Sequence, residues 1–202
     1  MYNIIYSCLA LITLFSLIFF IKRVDEENNL PKRLNPIIIA FTFILGGLNS
    51  VFGTKAWLMT VFLSFLIVEA YTDYHTMQLY LCFSIVFGLA GYVYLFISVP
   101  LYTGMIFDFI VFSLIVFISK LVKAINWGDV ALLLAVSPYI NLVFGIEGCL
   151  ISLIGFYVFT MLLGLVINVK DIFLKKKQYI PYAVPVCIGY CCLLILKMKG
   201  VI

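Results

Sequence analysis

The chain has 202 residues, of which 13 are Lys or Arg and 9 are Asp or Glu, so that only 11% carry charge while 65% are hydrophobic. Soluble domains carry about 25% charged and about 45–50% apolar residues, and a chain of this size folded in water would have to expose a large apolar surface. Soluble enzymes and disulfide scaffolds are excluded, and the net charge of +4 is too small for a nucleic-acid footprint, which leaves an all-α, polytopic integral membrane protein.

In chain order, apolar runs over residues 3–21, 36–53, 56–72, 79–99, 102–121, 130–143, 146–168 and 181–197 predict about eight transmembrane helices, each near the roughly 20 residues that a crossing needs. The first run has no Lys or Arg ahead of it and no small-residue cleavage site behind it, so it reads as a span and not as a removable signal. Lys22 and Arg23 follow directly, which puts the N-terminus outside and the 22–35 loop in the cytoplasm. The runs 56–72 and 130–143 are short, and the pair around Gly53–Lys55 is compatible with a re-entrant hairpin. With eight crossings the cytoplasmic segments hold Lys22, Arg23, Lys32, Arg33, Lys120, Lys123, Lys170, Lys175, Lys176 and Lys177, against Lys55, Lys197 and Lys199 outside. The six cysteines, at 8, 82, 149, 187, 191 and 192, lie in apolar stretches without the paired CxxC spacing of a zinc site. They read as small core residues.

Charge in or beside a membrane span is costly and marks a functional candidate. Outside the first loop the acidic residues are Glu69, Asp73, Asp108, Asp129, Glu147 and Asp171. Asp73 ends the third span and Asp129 begins the sixth, both at the cytoplasmic boundary, so two carboxyl groups share one depth. Two carboxyl groups that meet in a pocket of low dielectric hold a proton between them. The ionised member can activate a water while the protonated one donates to a peptide carbonyl. The alternative is a pair of solvated charges at helix ends, Asp129 being favourably placed near a helix N-terminus.

Asn126-Trp127-Gly128-Asp129 resembles the GxGD signature of intramembrane aspartic proteases, in particular the type IV prepilin peptidases, with Asn126 in place of the first Gly. Asp73 followed six residues later by Leu79 is similar to that family's other aspartate motif, with Tyr80 where the family has Pro. Ile180-Pro181-Tyr182-Ala183-Val184-Pro185 resembles its Ile-Pro-aromatic-small-Pro element with one residue added, and Ala131 stands where the family commonly has Lys. The three elements together cover most of residues 60–197. The resemblance implies one membrane domain over 1–202, with helices and a cytoplasmic loop in 1–55 and an aspartic protease core in 56–202. It implies Asp73 and Asp129 as catalytic residues, with no cofactor and no metal. The partners it implies are the bilayer of the cell membrane and a type IV prepilin-like substrate whose short basic leader is removed at the cytoplasmic face. Larger members carry two CxxC pairs in a cytoplasmic domain linked to N-terminal methylation; the 22–35 loop has no cysteine, so the resemblance is to the short, cleavage-only branch. Presenilin-like GxGD proteases carry a Pro-Ala-Leu element that does not occur here.

Other residues have narrower expectations. Gly128, lacking a Cβ, would let a scissile backbone approach Asp129, and Asn126 tolerates turn conformations. Trp127 reads as a headgroup anchor, and His75 as an interfacial side chain. Glu69, four residues before Asp73 and one turn deeper on the same face, either tunes Asp73 or pairs with a buried Tyr or amide. Asp108 lies toward the outer leaflet as a structural acceptor between helices. Asp25-Glu26-Glu27 form the only acidic cluster on the cytoplasmic side, either a solvated loop or a steering patch for a basic leader. The competing function is a small transporter, or an inactive pilus-assembly scaffold, in which Glu69 and Asp108 bind an ion or proton.

Overall fold

The computed structural model describes residues 2–24, 30–31, 34–98, 103–144, 149–173 and 181–200, with the backbone alone for 103–104 and 170–173. The acidic cluster 25–27, Glu147, Ile180 and the Lys175–Lys177 run lie outside the described residues. Those described form α1 (Tyr2–Val24), α2 (Pro36–Leu48), α3 (Ala56–Thr76), α4 (Leu81–Ser98), α5 (Thr103–Leu121), α6 (Trp127–Phe144), α7 (Cys149–Phe173) and α8 (Ala183–Met198), and contain no strand. The helices fall on the expected apolar runs, with ends moved by a few residues. Five helical stretches are long and apolar enough to cross a membrane: Tyr2–Val24, Pro36–Thr76, Leu81–Ser98, Trp127–Phe144 and Cys149–Val169. Ile37, Ile97 and Ile151 are 74–80% exposed, as suits helices whose outer faces meet lipid rather than water.

The junction of α2 and α3 shows how local sequence sets the path. Pro36 opens α2 behind Asn35, whose side-chain oxygen accepts the Ile37 N–H at 2.9 Å, a pairing of cap and proline that favours a helix start. The helix runs only 13 residues before a 3-10 segment, Asn49–Lys55, in which Gly53 at φ 57° breaks the helical path. Only glycine takes that conformation without cost. The first turn of α2 and the last turns of α3 line one groove, so the two run antiparallel.

Two helices are central. In the apolar windows of α2–α3 and α6, 61% and 72% of residues are buried, against 28%, 22% and 28% for α1, α4 and α7. A helix apolar on all sides is one surrounded by other helices. α3 packs on α1, α4 and α8, α6 packs on α4, α5, α7 and α8, and α8 therefore bridges the two. Phe62 of α3 stacks on Tyr139 of α6, with ring centroids 3.5 Å apart, and meets Tyr190 of α8 edge-on at 5.3 Å. The Tyr139 hydroxyl donates to the Phe87 carbonyl of α4 at 2.9 Å, and Tyr92 and Ser137 share a bond of 2.7 Å. The central pair, α3 and α6, are the helices that carry Asp73 and Asp129.

Candidate active site

Asp73 lies in the last turn of α3, 6% exposed. Its Oδ2 accepts the N–H of Ala183, the first residue of α8, at 2.8 Å. A helix N-terminus presents unpaired N–H groups and a partial positive charge, so α8 holds this carboxylate by its end. The bond needs the chain to turn into α8 at Tyr182, which is why the Pro181-Tyr182-Ala183 stretch sits beside an aspartate 110 residues away.

Asp129 occupies the first turn of α6, 8% exposed. Its Oδ2 accepts the Asn126 N–H at 2.8 Å, and the Asn126 carbonyl takes the first helical bond, from the Val130 N–H, at 3.1 Å. This is half of a capping box, in which the third helical residue reaches back to the cap. Asn126, in the place of a glycine, thus serves as the cap that orients the carboxyl. Among the described residues no protein group bonds Oδ1 of either aspartate. Each carboxyl therefore has one oxygen anchored and, among the described residues, one without a bond.

Asp73 lies within reach of the Asp129 charge, and Asp129 within reach of the Lys120 ammonium. Tyr182, whose hydroxyl shares a 2.9 Å bond with Thr160 of α7, also lies within reach of Asp129. Leu79 completes the link between the motifs. A Cβ added to Gly128 would lie 3.0 Å from the Leu79 Cβ and 3.1 Å from its Cδ1. The open side of Gly128, expected to admit a substrate backbone, is filled by Leu79. A side chain there would have to displace Leu79, because the loop after α3 packs directly on the start of α6.

The remaining candidates separate. Glu69 is fully buried and its Oε2 accepts the Tyr80 N–H at 3.1 Å, so of its two expected roles it takes the amide pairing, while remaining within electrostatic reach of Asp73. No sequence signal points to that partner, 11 residues away. His75 stands among Tyr71 and Tyr74, with ring centroids at 4.7 and 5.2 Å. Trp127 is 60% exposed, 6.0 Å from the Phe117 ring and 5.6 Å from the Lys120 Nζ. Asp108 interacts with the buried Cys149 of α7, which also lies against Asn141 of α6. The cysteines are free; Cys149, Cys187 and Cys191 are buried, but Cys8 and Cys82 are exposed on the apolar outer faces of their helices. No group of three or more potential metal ligands occurs among the described residues.

A groove of about 680 Å³ opens between the start of α2, the end of α3 and the start of α8. Tyr71, Tyr74 and His75 line it with Ile38, Phe41 and Val184, so its wall is mainly apolar; neither Asp73 nor Asp129 is among its lining residues. A second apolar groove, of about 420 Å³, runs between α4 and α6 past Trp127 and Val130. Comparison of the chain with protein-family models, with curated proteins and with solved structures returned no match.

Proposed function

We propose that this protein is a membrane aspartic endopeptidase of the prepilin-peptidase kind, which removes a short basic leader from a substrate whose next segment is an apolar helix. One observation carries the reading: Asp73 and Asp129 are buried at the ends of the two central helices, within electrostatic reach, each with one oxygen anchored by a backbone N–H and the other without a bond among the described residues. In the proposed reaction the ionised member takes a proton from water as its oxygen attacks the scissile carbonyl. The protonated member gives its proton to the carbonyl oxygen; as the tetrahedral diol collapses, the carboxyl that took the water proton passes it to the leaving amine and the other regains its proton from a diol hydroxyl. No residue forms a covalent intermediate.

The test is incubation of purified protein in detergent with a prepilin bearing a Lys-rich leader, followed by mass spectrometry of the product. Cleavage at the junction of leader and apolar helix is the expected result. Asp108→Asn should cleave within about three-fold of the wild-type rate, since its partner is Cys149 and a neutral acceptor keeps most of such a bond. If Asp108→Asn is inactive while Asp73→Asn cleaves, the transporter reading replaces this one.

The proposed topology has eight crossings with the aspartates on the cytoplasmic side. In a background without the six native cysteines, Thr76→Cys and Lys123→Cys should be shielded in intact cells from a membrane-impermeant thiol reagent, and Lys199→Cys should be labelled. Labelling at Thr76 puts Asp73 on the wrong side for cytoplasmic leader removal.

A further inference from the structure

Glu69 is 0% exposed inside α3, where a carboxyl is costly unless its oxygens are bonded. Its neighbours Phe65, Leu66 and Val68 are fully packed, and a leucine would fill the same space. The group it holds is the Tyr80 N–H, 3.1 Å from Oε2, while Oε1 has no partner among the described residues. Among the described residues, one bond thus accounts for the hydrogen bonding of this carboxyl.

The bond closes a loop. Residues 77–80 leave α3 through Met77, whose N–H returns to the Asp73 carbonyl at 2.9 Å, and reach α4 through Tyr80, whose N–H returns to Glu69 one turn deeper. Between the two anchors lies Leu79, seated on Gly128 immediately before Asp129. The path from one aspartate to the other therefore runs along a four-residue loop pinned at both ends to α3.

We propose that Glu69 is a positioning residue: by holding the Tyr80 N–H it keeps Leu79 seated on Gly128 and so sets the approach of Asp73 to Asp129. The role rests on the protease reading for its consequence, but the clamp itself does not. Glu69 acts as an acceptor, not as a charge, so Gln can replace it and Leu cannot.

Two measurements test this on the full-length protein in detergent. First, amide hydrogen exchange, with Gly128 left intact, reads the clamp at its donor: the Tyr80 N–H should exchange slowly in the wild type. Glu69→Leu should speed its exchange by about ten-fold or more, the order expected when a buried N–H loses its acceptor, while Glu69→Gln should leave it within about three-fold. Second, in leader cleavage Glu69→Leu should lower kcat by about 10- to 100-fold at nearly unchanged KM, with Glu69→Gln near wild type. In a Tyr80→Pro background, which has no N–H to hold, Glu69→Leu should cost nothing further, because the acceptor has lost its donor. Tyr80 amide exchange that ignores Glu69→Leu overturns the clamp, as does a Glu69→Leu penalty of equal size with and without the Tyr80 N–H. Glu69→Gln as damaging as Glu69→Leu overturns the acceptor role. Cleavage by Asp73→Asn defeats the protease reading instead, and leaves the amide-exchange result to decide the clamp.

Discussion

Asp73→Asn and Asp129→Asn are each expected to lower leader removal by about 10⁴-fold, at the upper end of what general acid–base catalysis contributes. Neither substitution should disturb insertion or the melting temperature appreciably, because Asn keeps a carbonyl oxygen to accept the Ala183 N–H at position 73 and the Asn126 N–H at position 129. What is lost is the ability to give or take a proton. Since both carboxyl groups act in one step, the double variant should be no slower than either single one, as for other residues that work as a unit. Cleavage rates measured with one prepilin for all three variants, beside their thermal unfolding, check this. Substantial turnover by either single variant, or a double variant as slow as the product of the two losses, contradicts the shared mechanism.

Gly128→Val should be the most damaging substitution outside the aspartates. Even a single Cβ would lie 3.0 Å from the Leu79 Cβ, so the larger side chain must push the 77–80 loop off the start of α6. Displacement of about 1 Å at a catalytic pair can cost about 10²-fold in rate, and a loss of that order in kcat is expected. Helix propensity cannot be the cause, because Val is a better helix former than Gly. Leu79→Gly removes both the Cβ and the Cδ1 that the introduced side chain would meet and should return a large part of the activity to the double variant. Steady-state kinetics of the two single variants and the double one measure the coupling; full activity of Gly128→Val, or no recovery with Leu79→Gly, places the contact outside the working site.

The two kinds of residue at this site differ in how far sequence reveals them. Asp73 and Asp129 stand out because charge is rare in the chain and both fall at the ends of apolar runs, and Gly128 stands out beside Asp129. Glu69 also stands out as a charge within a span, yet its partner is hidden. A backbone N–H has no side-chain signature, so neither the Tyr80 donor to Glu69 nor the Ala183 donor to Asp73 can be read from residue types. Gly128 shows the same limit from the other side: its missing side chain signals close approach, but not whether the visitor is a substrate or Leu79.

The amino-acid sequence by itself determined the helical class, the approximate place of each helix and the rarity of charge that singles out a few acidic residues. These follow from local composition: an apolar run in lipid must satisfy its own backbone hydrogen bonds, and a helix does so within the segment. Tertiary structure alone decided which helices are central, that α8 bridges α3 and α6, and that its first N–H reaches Asp73. It also decided the seat of Leu79 on Gly128. All of these join residues far apart in the chain, and their geometry depends on how apolar helices of nearly equal character pack against one another, through shape and small-residue contacts that hydrophobicity does not distinguish.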